Sequence, residues 1–299
     1  MQRVSPRKAT CYLESTRSYH SASGKRRQTS CLEGSYTALY QTRFKIDILE
    51  LLDESSVLVV QDWAMKYLPR KHRESQTDWF GKRGIPWHIS VAFRKISDQF
   101  QMLTFAHIFQ TCSQDSCAVL AVMVDVIKQL KNIIPGLKKV SFRQDNAGCY
   151  HCGTTIVCAS TLEAELGVTI KRLDFSDPQG GKGACDRKAA SVKSHIHIYL
   201  NSGHDIETPE QMTDAIRSSG GVPSLSVTLC DYITSPSMDS CKIDGVSLLS
   251  NIEFSEEGIR VWRAYGVGTG KLMSQIPEAP LSNMLPSLVV RQAHPSSFS

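Results

Sequence analysis

A short apolar run, Val57-Leu58-Val59-Val60-Gln61-Asp62, passes directly from aliphatic side chains into an acid. A run of this length, rich in β-branched residues, predicts a strand that is buried on both faces. Such strands lie at the centre of α/β sheets, because helices cover both sides of the sheet. We therefore expect a central strand at Val57–Gln61, with Asp62 at the point where that strand ends.

The segments that follow supply the other elements of such a sheet. Alternating polarity in Trp87–Arg94, and aromatic and β-branched residues in Phe100–Phe109, predict two antiparallel strands joined by a turn near Ser97. The next patterns alternate between helix and strand: helix at 115–134, strand at 139–143, helix at 150–166, strand at 168–175 and helix at 184–200. This order predicts an RNase H-like α/β domain, in which helices flank a mixed sheet.

The whole chain is predicted to divide into four regions. In order, these are a disordered basic arm (1–45), the RNase H-like domain (46–202), a small α+β extension (203–275) and a flexible tail (276–299).

Local composition sets these boundaries. Residues 1–43 hold eight Lys or Arg against two Glu and few large apolar side chains, which favours disorder. A helix begins at Thr208, with Pro209 at its first position. The extension also contains three predicted strands, at 225–232, 246–254 and 258–265. Four prolines in the last 24 residues predict the tail.

Composition limits the classes of protein to consider. The net charge of +5, from 34 basic and 29 acidic residues, permits nucleic acid as a partner without requiring it. No segment reaches the ~18 consecutive apolar residues of a membrane span, and the N-terminus lacks the apolar core of a secretory signal. We therefore expect a soluble intracellular protein, neither secreted nor membrane-bound, whose ten cysteines are free thiols.

Three aspartates follow predicted core strands: Asp62, Asp145 and Asp177. Clustered carboxylates repel one another unless a cation lies between them, and hard oxygen ligands suit Mg²⁺ or Mn²⁺. A two-ion site of this kind activates water and stabilises the leaving oxygen in phosphodiester cleavage. The competing interpretation is that each aspartate only forms a turn after its strand.

The strings around these aspartates are Gln61–Lys66 (QDWAMK), Gln144–His151 (QDNAGCYH) and Phe175–Asp186 (FSDPQGGKGACD). Together they resemble the RNase H-like, DDE-type transposases of eukaryotic cut-and-paste transposons, including animal proteins that look transposon-derived. The resemblance covers residues 57–199. It implies metal-dependent DNA cleavage and strand transfer, DNA recombination, DNA as the partner, a nuclear location, with a cytoplasmic one as the alternative, and a homo-oligomer.

The third acid departs from the pattern of that family, where glutamate is usual and this chain has Asp177. Two neighbours are alternatives. Asp174 lies inside the preceding strand, and Asp186 lies in the first turn of the following helix, where its charge suits the helix dipole. The alternative function is therefore a catalytically inactive, transposon-derived DNA-binding or regulatory protein.

Basic residues interleaved with aromatic side chains follow the first acid, a pattern suited to a nucleic-acid backbone and its bases. The competing interpretation is a solvated loop. The candidate contacts are Lys66, Arg70, Lys71, Arg73, Lys82 and Arg83, with Lys182 in the glycine-rich loop before the last core helix. That loop lacks the GxxxxGK[ST] pattern, so we expect no nucleotide cofactor.

A CxxC motif with an embedded histidine follows the second acid, at Cys149, His151 and Cys152. Zinc sites require about four ligands, and one CxxC without a second pair supplies half of them. Buried free thiols are the favoured interpretation, and Zn²⁺ at these three residues is the alternative.

Overall fold

The computed structural model describes residues 47–75, 80–176, 183–234, 241–264, 267–273 and 285–296. The expected basic arm, residues 1–45, lies outside the described residues. So do two predicted site residues, Asp177 and Lys182.

Five strands form the centre of the sheet in the spatial order β3-β2-β1-β4-β5. β2 pairs antiparallel with both β3 and β1, whereas β4 and β5 run parallel to β1. Their bounds are β1 (Ser56–Tyr67), β2 (Ile85–Ile96), β3 (Gln99–Phe109), β4 (Lys139–Gln144) and β5 (Thr169–Phe175). This topology confirms the predicted RNase H-like arrangement.

Helices cover both faces of this sheet. The helices are α1 (residues 47–50), α2 (Ser116–Ile133), α3 (Gly153–Leu166), α4 (Ala184–Asn201) and α5 (Pro209–Arg217). α2 and α3 bury their apolar sides against one face, where Val57 and Val59 of β1 also lie. α4 and α5 pack on the other face, with Leu58 and the next alternate residue, Val60. The period-two alternation of β1 therefore separates the two cores.

The C-terminal strands extend the same sheet at both edges. β6 (Leu225–Thr234) runs parallel to β3, and β7 (Asn251–Ser255) runs antiparallel to β5, followed by β8 (Gly258–Trp262) and β9 (Lys271–Met273). One ten-stranded sheet results. The extension predicted at 203–275 thus contributes strands to a continuous sheet.

Part of the predicted tail is also a strand. β10 (Ser287–His294) pairs antiparallel with β6 and forms an edge of the sheet. The nearby prolines favoured the interpretation of this segment as a tail. Its strand signal is limited to the two β-branched residues Val289 and Val290, and the strand forms because it pairs with β6.

β1 is longer than predicted. Its pairing with β4 ends at Gln61 opposite Gln144, but its pairing with β2 continues to Tyr67 opposite Ile85. Asp62 therefore lies inside β1, at the first position without a registered β4 partner, and not after the strand. In the described part of the chain, no helix is both long and apolar enough to cross a membrane.

The start of α3 makes a close contact with the segment before β7. A Cβ atom on Gly153 would lie 2.3 Å from the backbone oxygen of Cys241. The amide of Cys241 also donates to Thr154 Oγ1 at 3.1 Å. Glycine at position 153 is therefore required for this backbone to approach α3.

We expect Gly153→Ala to lower the free energy of unfolding by about 3 kcal/mol, because two backbone segments would have to separate. Gly148→Ala is the matched control, since a Cβ there meets nothing within 4 Å and should change stability by less than about 0.5 kcal/mol. Urea unfolding of both variants measures the difference. Equal stabilities would show that the contact at Gly153 is not tight.

Candidate active site

Two of the predicted acids occupy matching positions on neighbouring parallel strands. The register pairs Val60 with Arg143 and Gln61 with Gln144. Asp62 is the next residue of β1, and Asp145 is the first residue after β4. Neighbouring strands lie about 4.8 Å apart. Both aspartates are half-buried; Asp62 lines the cavity beside α4, whereas Asp145 does not line it. The structure thus brings the first two predicted acids together.

The first turn of α4 is attached to the same place. The thiol of Cys185 donates to the carbonyl oxygens of Val60, at 3.2 Å, and Ile89, at 3.6 Å. Ile89 is the antiparallel partner of Asp62. The next residue in α4 is Asp186, so the thiol contacts fix this third carboxylate beside the first.

Asp62 and Asp186 line one open cleft of about 720 Å³. Asp186 is exposed, and its Oδ2 atom accepts a hydrogen bond of 2.9 Å from the amide of Gly183, the residue that caps α4. The cleft is also lined by Arg187 and Lys193 of α4. The carboxylates of Asp62 and Asp186 therefore lie at one end of the cleft, and cationic side chains line it farther along α4.

The electrostatics show that the three acids interact. Burial raises the pKa of Asp62 to about 7, and the negative charges of Asp145 and Asp186 add to the shift. A carboxyl in this environment is half-protonated near neutral pH, whereas an isolated aspartate would be fully ionised. A nearby cation would lower the pKa of Asp62 again, because it would stabilise the ionised carboxylate.

A buried hydrogen bond lies beneath the acids. The hydroxyl of Tyr150 and Nε2 of His88 are 2.9 Å apart, and both side chains are fully buried. Burial raises the pKa of Tyr150 well above its ordinary value, and the charge of Asp62 raises it further. Burial lowers the pKa of His88 well below its ordinary value, with a contribution from His107. Both groups are therefore neutral, and the sequence analysis had identified neither.

The histidine of the CxxC motif supports the turn that carries Asp145. The amide of Asn146 donates to Asp145 Oδ1 at 2.7 Å, and the Asn146 side chain bonds His151 Nδ1. The His151 ring stacks on Phe175 with 4.0 Å between ring centroids. Burial lowers the pKa of His151, so the ring is neutral at physiological pH. His151 thus links the turn after β4 to the end of β5.

The cysteines of that motif are engaged within α3 and the turn before it. Cys152 Sγ lies 3.3 Å from Thr155 Oγ1, and burial raises the pKa of Cys149. Among the residues that the structure describes, no group of three His, Cys, Asp or Glu side chains is arranged to hold a metal ion. Free thiols stay the prediction for this motif, with Zn²⁺ at Cys149, His151 and Cys152 as the untested alternative.

The candidates for the third acid differ in their surroundings. Asp177 cannot be compared, because it lies outside the described residues. Asp174 is fully buried and accepts hydrogen bonds from Asn251 Nδ2 at 2.7 Å and Arg172 Nη2 at 3.5 Å. Burial raises its pKa to about 6. Only Asp186, of the two described candidates, lines the cleft with Asp62.

The predicted nucleic-acid contacts have different locations. Lys66 and Arg70 line a second cavity beside the cleft, and Lys71 lines a third with Arg70. Lys82 pairs with Glu74 and donates to the carbonyl oxygen of Pro69 at 2.8 Å. The remaining two described candidates, which are exposed, are Arg73 and Arg83.

Comparison with known proteins places the chain in a family. Residues 41–238 match a family model described as a domain of unknown function, DUF8701, and since this is more than half of the chain, the chain belongs to that family. No curated protein matches the chain.

Among solved structures, the chain is similar to one titled "Crystal structure of the mariner Mos1 paired end complex with Mg", with 11% identity and a TM-score of 0.20. The match covers 72% of this chain and 63% of the other, so it spans less than two thirds of that protein. The fold and the site described above do not depend on that likeness.

We expect Asp62→Asn to stabilise the metal-free protein above about pH 7, because its raised pKa makes the folded state bind the proton more tightly than the unfolded state does. The penalty of ionising Asp62 is absent below the unfolded pKa, grows as the pH rises toward 7, and is complete above it. Melting curves in a chelator across this range should show a Tm gain for the variant that increases with pH.

Asp214→Asn on α5 is the control for the pH series, since Asp214 is exposed and does not line the cleft. Its Tm should follow that of the unmodified protein. A constant difference between Asp62→Asn and the unmodified protein at every pH would contradict the raised pKa.

Proposed function

We propose that this protein cleaves phosphodiester bonds in DNA with Mg²⁺ or Mn²⁺ held by Asp62, Asp145 and Asp186, in transposase-like cleavage and strand transfer. The observation that carries the proposal is the register of β1 and β4, which places Asp62 beside Asp145 while α4 brings Asp186 into the cleft of Asp62. Such work on DNA would take place in the nucleus.

The chemistry of the three carboxylates suits a hard divalent cation, which would have to draw Asp62, Asp145 and Asp186 closer together than they lie in the structure. Mg²⁺ and Mn²⁺ prefer carboxylate oxygens and keep several water ligands, which an open cleft permits. Burial is the main cause of the raised pKa of Asp62, and the negative charges of Asp145 and Asp186 add to it, so a cation bound here would favour the ionised carboxylate. When bound, the cation would supply activation of water and stabilisation of the leaving oxygen.

The residues of the chain would divide the work as follows. Asp62 must release its proton to become a ligand, so metal affinity should rise with pH around neutrality. Cys185 orients α4, and the neutral pair of Tyr150 and His88 keeps the region beneath the acids free of opposing charge. A water or a DNA 3′-hydroxyl would enter from the open side of the cleft.

Asp186 is preferred to Asp177 as the third carboxylate. It lines the cleft with Asp62, and its negative charge contributes to the raised pKa of that residue. Asp177, the third acid of the sequence-based hypothesis, remains the second candidate. A comparison of variants at the two positions distinguishes them.

A second candidate function is DNA binding without catalysis. Aspartate at the third position is one methylene shorter than the glutamate usual in the resembling family, at Asp177 and at Asp186 alike. The absence of a three-residue metal group among the described side chains is consistent with this alternative.

We expect Mg²⁺ or Mn²⁺ to raise the Tm, since a ligand that binds only the folded state stabilises it. At a metal concentration about 100 times the dissociation constant, the gain is about 2.7 kcal/mol, or an increase of about 5–10 °C for a domain of this size. Asp62→Asn, Asp145→Asn and Asp186→Asn should each remove most of the shift, and each should abolish nicking of supercoiled DNA in Mn²⁺.

Asp177→Asn is the matched control and should keep both the shift and the nicking. If Asp177→Asn loses them while Asp186→Asn retains them, the third carboxylate is Asp177. A metal-induced shift without nicking favours the DNA-binding function. A shift that survives in both Asp62→Asn and Asp145→Asn would rule out the metal site.

A further inference from the structure

Three adjoining cavities lead away from the acids along α4. They have volumes of about 720, 240 and 280 Å³ and follow one another between α4 and the segment 62–74. Met65 and Lys193 line both the first and the second, and Arg70 and His197 line both the second and the third. We call this row of cavities the α4 groove.

The two walls of the α4 groove are attached to each other at the far end. Arg70 and Ile206 exchange two backbone hydrogen bonds of 2.8 Å. Farther along, Asp205 Oδ1 accepts a bond of 2.7 Å from the amide of His72, and the His72 ring bonds the carbonyl oxygen of Leu200 at 2.8 Å. The segment after β1 is therefore held against the end of α4, and the groove between them is preformed.

The α4 groove is basic beyond the acidic end. Five Lys or Arg side chains line it, and the one carboxylate that lines it there, that of Glu74, pairs with Lys82. The five are Lys66, Arg70, Lys71, Arg187 and Lys193. One of the five, Lys71, also forms an ion pair of 3.5 Å with Glu207, which does not line these cavities. Lys193 lies over the buried ring of Trp87, with Nζ 5.9 Å from the ring centroid. Charge of this sign and arrangement is complementary to a chain of phosphates.

The α4 groove also presents apolar side chains to solvent. Met65 is 80% exposed and Leu68 is 47% exposed. Tyr67, Ile196 and Leu200 complete the apolar lining of the middle section. A duplex would present only its phosphates to such a surface, whereas an unpaired strand could also lay its bases on it.

The length of the α4 groove sets the size of its occupant. From Asp186 to Asn201, α4 rises about 22 Å at 1.5 Å per residue. A stacked strand advances about 3.4 Å per nucleotide. The groove therefore accommodates about six nucleotides between the acidic cluster and the end of α4.

We infer that the α4 groove binds a single DNA strand of about six nucleotides and leads it to the acidic cluster. The inference rests on the proposed function for the choice of DNA as the strand. It adds the path of the substrate and identifies Arg187 and Lys193 as contacts that sequence reasoning missed. Arg70, one of the predicted contacts, would hold the distal phosphates.

Fluorescence anisotropy in a chelator tests the groove separately from the metal site. The probes are labelled oligo-dT of twelve nucleotides, the same length of oligo-rU and a twelve-base-pair duplex. The double variant Arg70→Gln/Lys193→Gln should weaken binding of oligo-dT about tenfold, and its log–log salt slope should fall by about 1.4, since each lost contact with a single strand removes about 0.7. Met65→Ala should weaken oligo-dT binding and leave the salt slope unchanged.

The matched control removes the same charge from elsewhere. Lys128 and Lys138 are exposed and lie outside the groove, and Lys128→Gln/Lys138→Gln should change affinity less than twofold. An equal loss in both double variants, or a duplex bound as tightly as oligo-dT, would overturn the inference. Tighter binding of oligo-rU would overturn the choice of DNA.

The metal-induced Tm shift separates this inference from the proposed function. A groove variant that keeps the shift but loses oligo-dT is folded and supports the groove. If oligo-dT binds the groove variant as tightly as it binds the unmodified protein, while Asp62→Asn loses the Tm shift, the inference about the groove is wrong and the proposed metal site is supported. If Asp62→Asn keeps the Tm shift but the groove variant no longer binds oligo-dT, the proposed metal site is wrong and the inference about the groove is supported.

Discussion

The unequal pairing of β1 with its two neighbours determines the rest of the architecture. β4 leaves the ladder after Gln144, while β2 stays paired with β1 through Ala64 and, after a register shift, again at Tyr67. At the point of separation the parallel side opens, and Asp62 faces α4 with Asp145 next to it. The continuation of β1 beyond Asp62 then becomes a wall of the cleft. One change in backbone pairing thus creates the acidic cluster and the surface beside it.

The fold could be predicted because its central strands carry their own signal. The run that ends at Gln61 is apolar on both faces, and the helix that became α2 has a broad apolar side ended by Pro135-Gly136. The extension of β1 to Tyr67 could not be predicted, since Trp63–Tyr67 lacks strict alternation and is a strand only because β2 runs beside it. β10 likewise depends on a partner that is distant in the sequence.

The candidate site was predictable to the extent that it lies where the β1–β4 ladder ends. Asp62 follows the apolar run of β1 and Asp145 follows β4, which are local signals, whereas the place of Asp186 depends on contacts from Cys185 to two strands far away in the chain. The histidine beneath the site did carry a signal. His88 interrupts the apolar residues in the buried part of β2, and a polar ring in that position requires an internal partner, which is Tyr150.

The position of β10 has a consequence for association between chains. β10 is itself an edge strand, but register shifts at Val289/Val290 and Val290/Gln292 make its edge irregular, and an irregular edge is a poor template for strands of other molecules. Without β10, the N–H and C=O groups along one side of the ten-residue strand β6 would be unpaired and would form the edge instead. At the opposite border, β9 has only three residues and offers a short template. A chain shortened before Ser287 would therefore be prone to edge-to-edge aggregation, even though every residue of the acidic cluster would be retained.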